Sequence, residues 1–90
     1  MNQIRWAEHA VENLGEREID RTEAELTLRN PEVIVPDPPA REVYMRRYFD
    51  WILQQEMLMR LVVEQTESES VVVTVYKTSQ IARYLKGKQR

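Results

Sequence analysis

The sequence predicts an α+β fold: an N-terminal helical hairpin packed on a small antiparallel β-sheet, followed by a short C-terminal helix. Three observations predict it. In the first thirty positions apolar residues recur at helical spacing. From Val43 onward they alternate, with the polar stretch "QTESES" between two β-branched runs. Near the end "VVVTVY" passes into "KTSQIARYL", a strand running into a capped helix.

Ninety residues make one domain, 1–90, with an ordered core over 3–86 and a flexible tail over 87–90. A chain this short buries only about 60–65% of its unfolded surface, so its core is modest. It has no cysteine, which excludes a disulfide framework, a thiolate zinc site and a thiol nucleophile. No apolar stretch approaches the ~20 residues that span a bilayer. The N-terminus "MNQIRWAEHA" has neither a basic nor an apolar leader region. A soluble cytoplasmic protein is expected. The net charge of -2 argues against nucleic acid, but its distribution is uneven. Met1 to Ala40 holds four Arg and nine acids, whereas Arg41 to Arg90 holds nine Lys or Arg and six acids. A basic surface on an acidic protein is therefore allowed.

The elements follow in order. "IRW" alternates as a short first strand does. In "AEHAVENLG" Ala7, Ala10, Val11 and Leu14 share a helical face, and Gly15 is the expected C-cap. In "REIDRTEAELTLRNP" Asp20 is the expected N-cap and Glu23 completes a capping box; Asn30 and Pro31 end the helix. "VIVPDPPAR" reads as a strand that must stop or lie at an edge, because Pro36, Pro38 and Pro39 cannot donate to a ladder. Val43 to Phe49 alternates as a strand, yet Tyr44, Tyr48, Trp51, Leu58, Met59 and Val62 also fit a helical stripe. Both readings stay open, and with them strand or helix for residues 50–56, since "DWILQQE" lacks Gly, Asn and Pro and shows no tight hairpin turn. Met57 to Glu64 and Val71 to Tyr76 read as strands. Ser79 or Thr78 then caps a short helix, "QIARYLKG", with Ile81, Leu85 and Tyr84 inward.

Aligning the strands as antiparallel neighbours gives one face of Val, Met, Leu and Phe, covered by the helices. The opposite, half-exposed face then collects Tyr44, Arg46, Tyr48, Arg60, Thr74 and Tyr76. Such a face suits a phosphodiester chain, through charge-assisted bonds and base stacking. It is equally an ordinary sheet surface of good β-formers.

"HAVENLGEREI", "LRNPEVI" and "VVVTVYKTSQIARYL" together resemble the DUF4258 family (domain of unknown function) of small bacterial proteins, over Ile4 to Leu85. The resemblance implies a RelE/ParE-like toxin fold, of the wider barnase-EndoU-colicin-RelE class of nucleases. It favours strands over a central helix. Asn13 stands where such proteins often carry Arg, Ala7 where a Ser or Thr cap is usual, and "DWILQQE" is an enlarged hairpin loop.

Metal-independent RNA cleavage needs a base, an acid and cations around the phosphate. His9 is the single histidine, the one side chain that titrates near neutrality unperturbed, and so the first base or acid candidate. Flanked by Glu8 and Glu12, it reads equally as an exposed solubilising residue. Lys77 precedes the last helix, whose N-terminus with Thr78 and Ser79 is an expected phosphate site. Tyr84 acts on the scissile phosphate or docks the last helix. The expected catalytic residues are thus His9, Lys77 and Tyr84. The expected RNA-binding residues are Arg17, Tyr44, Arg46, Arg60, Tyr76 and Thr78. No metal or cofactor is expected: one histidine and scattered carboxylates make no ligand set, and no Gly-rich loop offers a nucleotide site. The expected function is the toxin component of a bacterial toxin–antitoxin pair, an endoribonuclease. Its partners would be RNA and an antitoxin protein, with a homodimer allowed and no membrane association. The alternative is a non-catalytic protein-interaction module of the same fold.

Overall fold

The computed structural model describes residues 3–85. The expected flexible tail over 87–90, and Lys86 before it, lie outside the described residues. The elements are β1 (Gln3–Trp6), α1 (Glu8–Glu16), α2 (Arg21–Arg29), β2 (Val33–Asp37), β3 (Arg41–Asp50), β4 (Gln55–Gln65), β5 (Glu69–Thr78) and α3 (Ile81–Leu85). They form one five-stranded sheet in the order β1-β5-β4-β3-β2.

This corrects the expected fold class. The sheet is mixed, because β1 pairs with β5 in parallel while the other neighbours are antiparallel. Nor do α1 and α2 form a hairpin laid on the sheet as one unit. α1 packs on β5, and α2 packs on β4 and β3. The partners in the parallel pair stand at opposite ends of the chain, so no local turn signal reports it.

The helix ends explain the separation. Asp20 caps α2, accepting a hydrogen bond from Thr22 N–H at 2.8 Å. The expected capping box does not close, because the Glu23 carboxylate pairs with Arg46 instead. Ala7 gives α1 no side-chain cap. At its other end α1 continues past Gly15. Ile19 N–H donates to Leu14 O at 2.8 Å and Glu18 N–H to Gly15 O at 3.3 Å, with Glu18 at φ 53. That is a Schellman termination, with Glu18 in the left-handed position that glycine usually fills. Gly15 lies one turn too early to be the cap.

The middle of the chain is strand. β3 and β4 pair from Arg41↔Glu64 to Asp50↔Gln55 around a short turn over 51–54. β2 runs through Pro36 at the sheet edge, where its missing N–H disturbs no ladder.

Register decides the faces. Arg46 opposes Met59, Tyr44 opposes Leu61 and Tyr48 opposes Met57. Tyr44, Arg46 and Tyr48 therefore lie under the helices, with the core of Ala10, Ile19, Ala24, Met57, Met59, Leu61, Val63, Val72 and Val75. Met45 opposes Arg60, and Arg60 opposes Tyr76. That other face buries Val43, Met45 and Leu58 beneath Leu85 of α3. The expected single face of Tyr44, Arg46, Tyr48, Arg60, Thr74 and Tyr76 is thus split between two faces. A slip of one residue exchanges every side chain of a strand. β4 gave no warning because both of its faces are apolar. In β5 an irregularity adds to this: Thr74 opposes Val62 but Val72 opposes Val63, leaving Val73 as the extra residue. The bulge brings Val72 and Val75 onto the same core face, where simple alternation separates them.

Candidate functional site

β1 covers β5 only from Glu69 to Val72. Beyond that point the edge of β5 is closed by α1. Val75 N–H donates to Asn13 Oδ1 at 3.1 Å, and Arg17 Nη1 donates to Val75 O at 2.9 Å. Two side chains thereby do what a neighbouring strand would do. Asn13, the departure from the family pattern, is fully buried in this role. Outside this closure lies an open groove of about 540 Å³ lined by Arg17, Thr74, Tyr76 and Lys77. Arg17 makes no ion pair among the described residues.

Tyr76 links the groove to a second cation. Arg60 Nη1 hydrogen-bonds the Tyr76 hydroxyl, and the Arg60 guanidinium lies 4.7 Å from the Tyr76 ring centroid and 3.9 Å from that of Tyr84. Arg83 also approaches the Tyr84 ring, at 5.7 Å. Arg60 has no carboxylate partner among the described residues, and its Nε is buried without one. A hydrogen bond from Arg60, and then the positive charge of Arg60 and Arg83, hold the Tyr84 phenol below its ordinary pKa.

Lys77 is already engaged. Its Nζ donates to Asp50 Oδ2 at 2.8 Å and to Glu18 O at 2.9 Å. The two side chains are 10% and 5% exposed, so this is a buried pair. Burial alone would raise the Asp50 pKa. Hydrogen bonds from Lys77, Leu53 N–H and the Tyr48 hydroxyl outweigh it, and the carboxyl is held below its usual value. Burial and the Asp50 charge push the Tyr48 phenol up, so it remains a donor. Lys77 belongs to the helix-covered face, opposite Met59, whereas α3 packs on the other face. The expected phosphate site at the start of α3 is therefore not formed: α3 has five residues and Lys77 points away from it. Thr78 Oγ1 accepts from Gln80 N–H at 3.1 Å.

Arg46 reaches the Glu23 carboxylate and Glu23 O beneath α2. Tyr44 packs against the same core, and its hydroxyl accepts from Gln65 Nε2 at 3.4 Å. His9 is exposed in the first turn of α1. α1 runs along β5 in the direction of β5, from Ala7 N–H on Val72 O to Glu18 O on Lys77. His9 is thus about 12 Å along the helix axis from Arg17, at 1.5 Å per residue. The fold gathers Arg17, Arg60, Tyr76, Tyr84 and Lys77 around β5. It leaves Tyr44 and Arg46 under the helices, and His9 at the far end of α1 from Lys77.

Two features went unassigned as functional in the sequence. Tyr48 and Asp50 form the far side of the Lys77 cluster. The hairpin tip exposes Trp51 at 74% and Ile52 at 67%, with Phe49 edge-on to Trp51 at 4.6 Å. Its signal was the apolar run Trp51 to Leu53 in a stretch without Gly, Asn or Pro. Here Asp50 Oδ1 accepts from Ile52 N–H and Leu53 N–H, both at 3.0 Å, and Gln54 adopts φ 57 in the place of glycine.

Among the described residues no group of three or more His, Cys, Asp or Glu can hold a metal ion. None of the described helices is long and apolar enough to cross a membrane. No curated protein and no solved structure matches the chain. The family described as "Domain of unknown function (DUF4258)" matches residues 6–77, and with most of its length in that match the chain belongs to the DUF4258 family.

Proposed function

We propose that this chain binds RNA in the groove beside the C-terminal half of β5 and cleaves it there, as the toxin component of a toxin–antitoxin pair acting in the cytoplasm. One observation carries the reading: Arg17 and Arg60, both without carboxylate partners, flank Tyr76 beside an open groove. Two guanidinium groups suit a phosphodiester, and the Tyr76 and Tyr84 rings suit stacked bases. Of the three residues expected to do chemistry, Tyr84 has the best surroundings. Its ring lies 3.9 Å from the Arg60 guanidinium, which would set its phenol to exchange a proton with a 2′-hydroxyl beside a phosphate held by Arg60 and Arg17. Lys77 orders the site through Asp50 and Glu18.

The test uses a fluorescent single-stranded RNA. Binding should weaken steeply with salt, and Arg17→Gln and Arg60→Gln should each reduce the log–log slope by about 0.7. Tyr84→Phe should keep binding and lose about a hundredfold in cleavage rate. Absence of binding at low salt would sink the reading. So would cleavage by Tyr84→Phe at the parent's rate.

A second reading is favoured by a different observation: Lys77 and Arg46 are both consumed in ion pairs, and His9 stands apart from each. A non-catalytic interaction module needs none of them free. RNA binding without cleavage, or neither, is its signature in the same assay.

A further inference from the structure

The turn between α1 and α2 and the β3–β4 hairpin enclose a cleft of about 490 Å³ on the far side of the Lys77–Asp50 pair. Its apolar wall is the hairpin tip, where Phe49, Trp51 and Ile52 are all exposed. Exposed apolar residues scattered singly are ordinary, but contiguous ones on a small domain mark a binding surface. Apart from the edge-on contact of Phe49 with Trp51, nothing in the tip's own hydrogen bonding requires these side chains. Asp50 and the backbone fix the turn, so serine would serve equally well at 51 and 52.

Charge identifies the occupant. Glu18, Asp20, Glu23 and Asp50 line the cleft, and neither Lys nor Arg does. Arg46 neutralises Glu23 and Lys77 neutralises Asp50 from behind. Glu18 and Asp20 keep their charge uncompensated by any ion pair among the described residues. The two uncompensated carboxylates, with no Lys or Arg in the lining, disfavour a phosphodiester and an anionic lipid surface alike. We infer that this cleft docks a segment of another protein in which Lys or Arg stands beside large apolar side chains. The apolar side chains would cover Trp51 and Ile52, and the cation would meet Glu18 and Asp20. Interfaces of this kind draw most of their affinity from a buried aromatic centre and their selectivity from charge at the rim. Lys77 connects the two sites through Asp50 and the Glu18 carbonyl, but the side chains that would meet the partner, Trp51, Ile52, Glu18 and Asp20, are none of those that would meet RNA.

A display library of random dodecapeptides, selected on the full chain, tests it. The selected peptides should be enriched in Lys or Arg next to Leu, Ile, Phe or Trp. Their affinity should fall about tenfold or more on a Trp51→Ser/Ile52→Ser variant, which thermal unfolding should show to be folded. Glu18→Gln should weaken the basic peptides severalfold and leave neutral ones unchanged. Selected peptides without basic enrichment would overturn the charge assignment. Selected peptides indifferent to the double substitution, or no binders at all, would overturn the cleft itself. A dimer in light scattering that the double substitution dissolves would make the occupant a second copy of this chain, and would overturn the inference in that way.

Discussion

Asn13 Oδ1 accepts the hydrogen bond of Val75 N–H at 3.1 Å, closing a strand edge that β1 is too short to cover. The donor is a backbone N–H, so the amide oxygen is the atom that must face it. The relationship gives Asn13, which stands where such proteins often carry Arg, a structural role. Asn13→Ala should therefore destabilise the fold by about 1–3 kcal/mol, because a buried N–H loses its acceptor. Val11→Ala on the same helix, at an exposed position, should cost far less. Urea unfolding of both variants makes the comparison, and equal losses would contradict the edge role.

Glu18 holds a left-handed conformation at φ 53. A side chain pays for that conformation and glycine does not, although glycine loses more freedom on folding. Glu18→Gly should stabilise the protein by about 0.5–1 kcal/mol. The carbonyl that accepts from Lys77 is retained, so that bond persists. A fall in the thermal midpoint would refute the assignment.

The Asp50 carboxyl is held below its usual value, so its charged form is favoured in the folded state. Its contribution is complete above the unfolded pKa of about 3.9 and disappears as pH falls through the lower folded value. Lys77→Met removes the strongest support and leaves burial, which acts in the opposite direction. The variant should lose about 3 kcal/mol at pH 7. The difference in stability between variant and parent, followed by urea unfolding between pH 2 and pH 7, should be largest near neutrality and shrink as pH falls through the Asp50 titration, where the parent gives up the same contribution. A difference that stays constant down to pH 2 would show that the pair carries no pH dependence.

Arg46 and Arg60 stand on opposite faces, and substitutions there should behave differently. Arg46 is 19% exposed and paired with Glu23, so Arg46→Glu sets two carboxylates together under α2. It should cost about 3 kcal/mol or more and impair folding. Arg60→Gln forfeits stacking between two rings and one hydrogen bond to the Tyr76 hydroxyl, but leaves no buried charge unpaired, and should cost about 1–2 kcal/mol. Denaturation midpoints distinguish the two, and equal losses would mean the faces are misassigned.

The sequence by itself determined the elements that rest on local chemistry. Asp20 had to cap a helix, Pro36 had to end a strand or sit at an edge, and β4 and β5 were visible as strands, whereas β3 read equally as helix and the bulge in β5 left no mark. Ile81 and Leu85 marked the inward side of α3. Arg17, Arg60, Tyr76 and Tyr84 were legible as a cation and aromatic set, though not their arrangement. What tertiary structure alone decided was which faces coincide. Alternation says which residues of one strand share a side, but it does not align that side with a neighbour's. The usual guide is a polar face, and β4 has apolar residues on both. So Tyr44 and Arg46 went under the helices, while Arg60 and Tyr76 stayed across the sheet. The same holds for Lys77 and Asp50, and for β1 beside β5: each pair is distant in sequence, and only chain closure around the sheet brings it together.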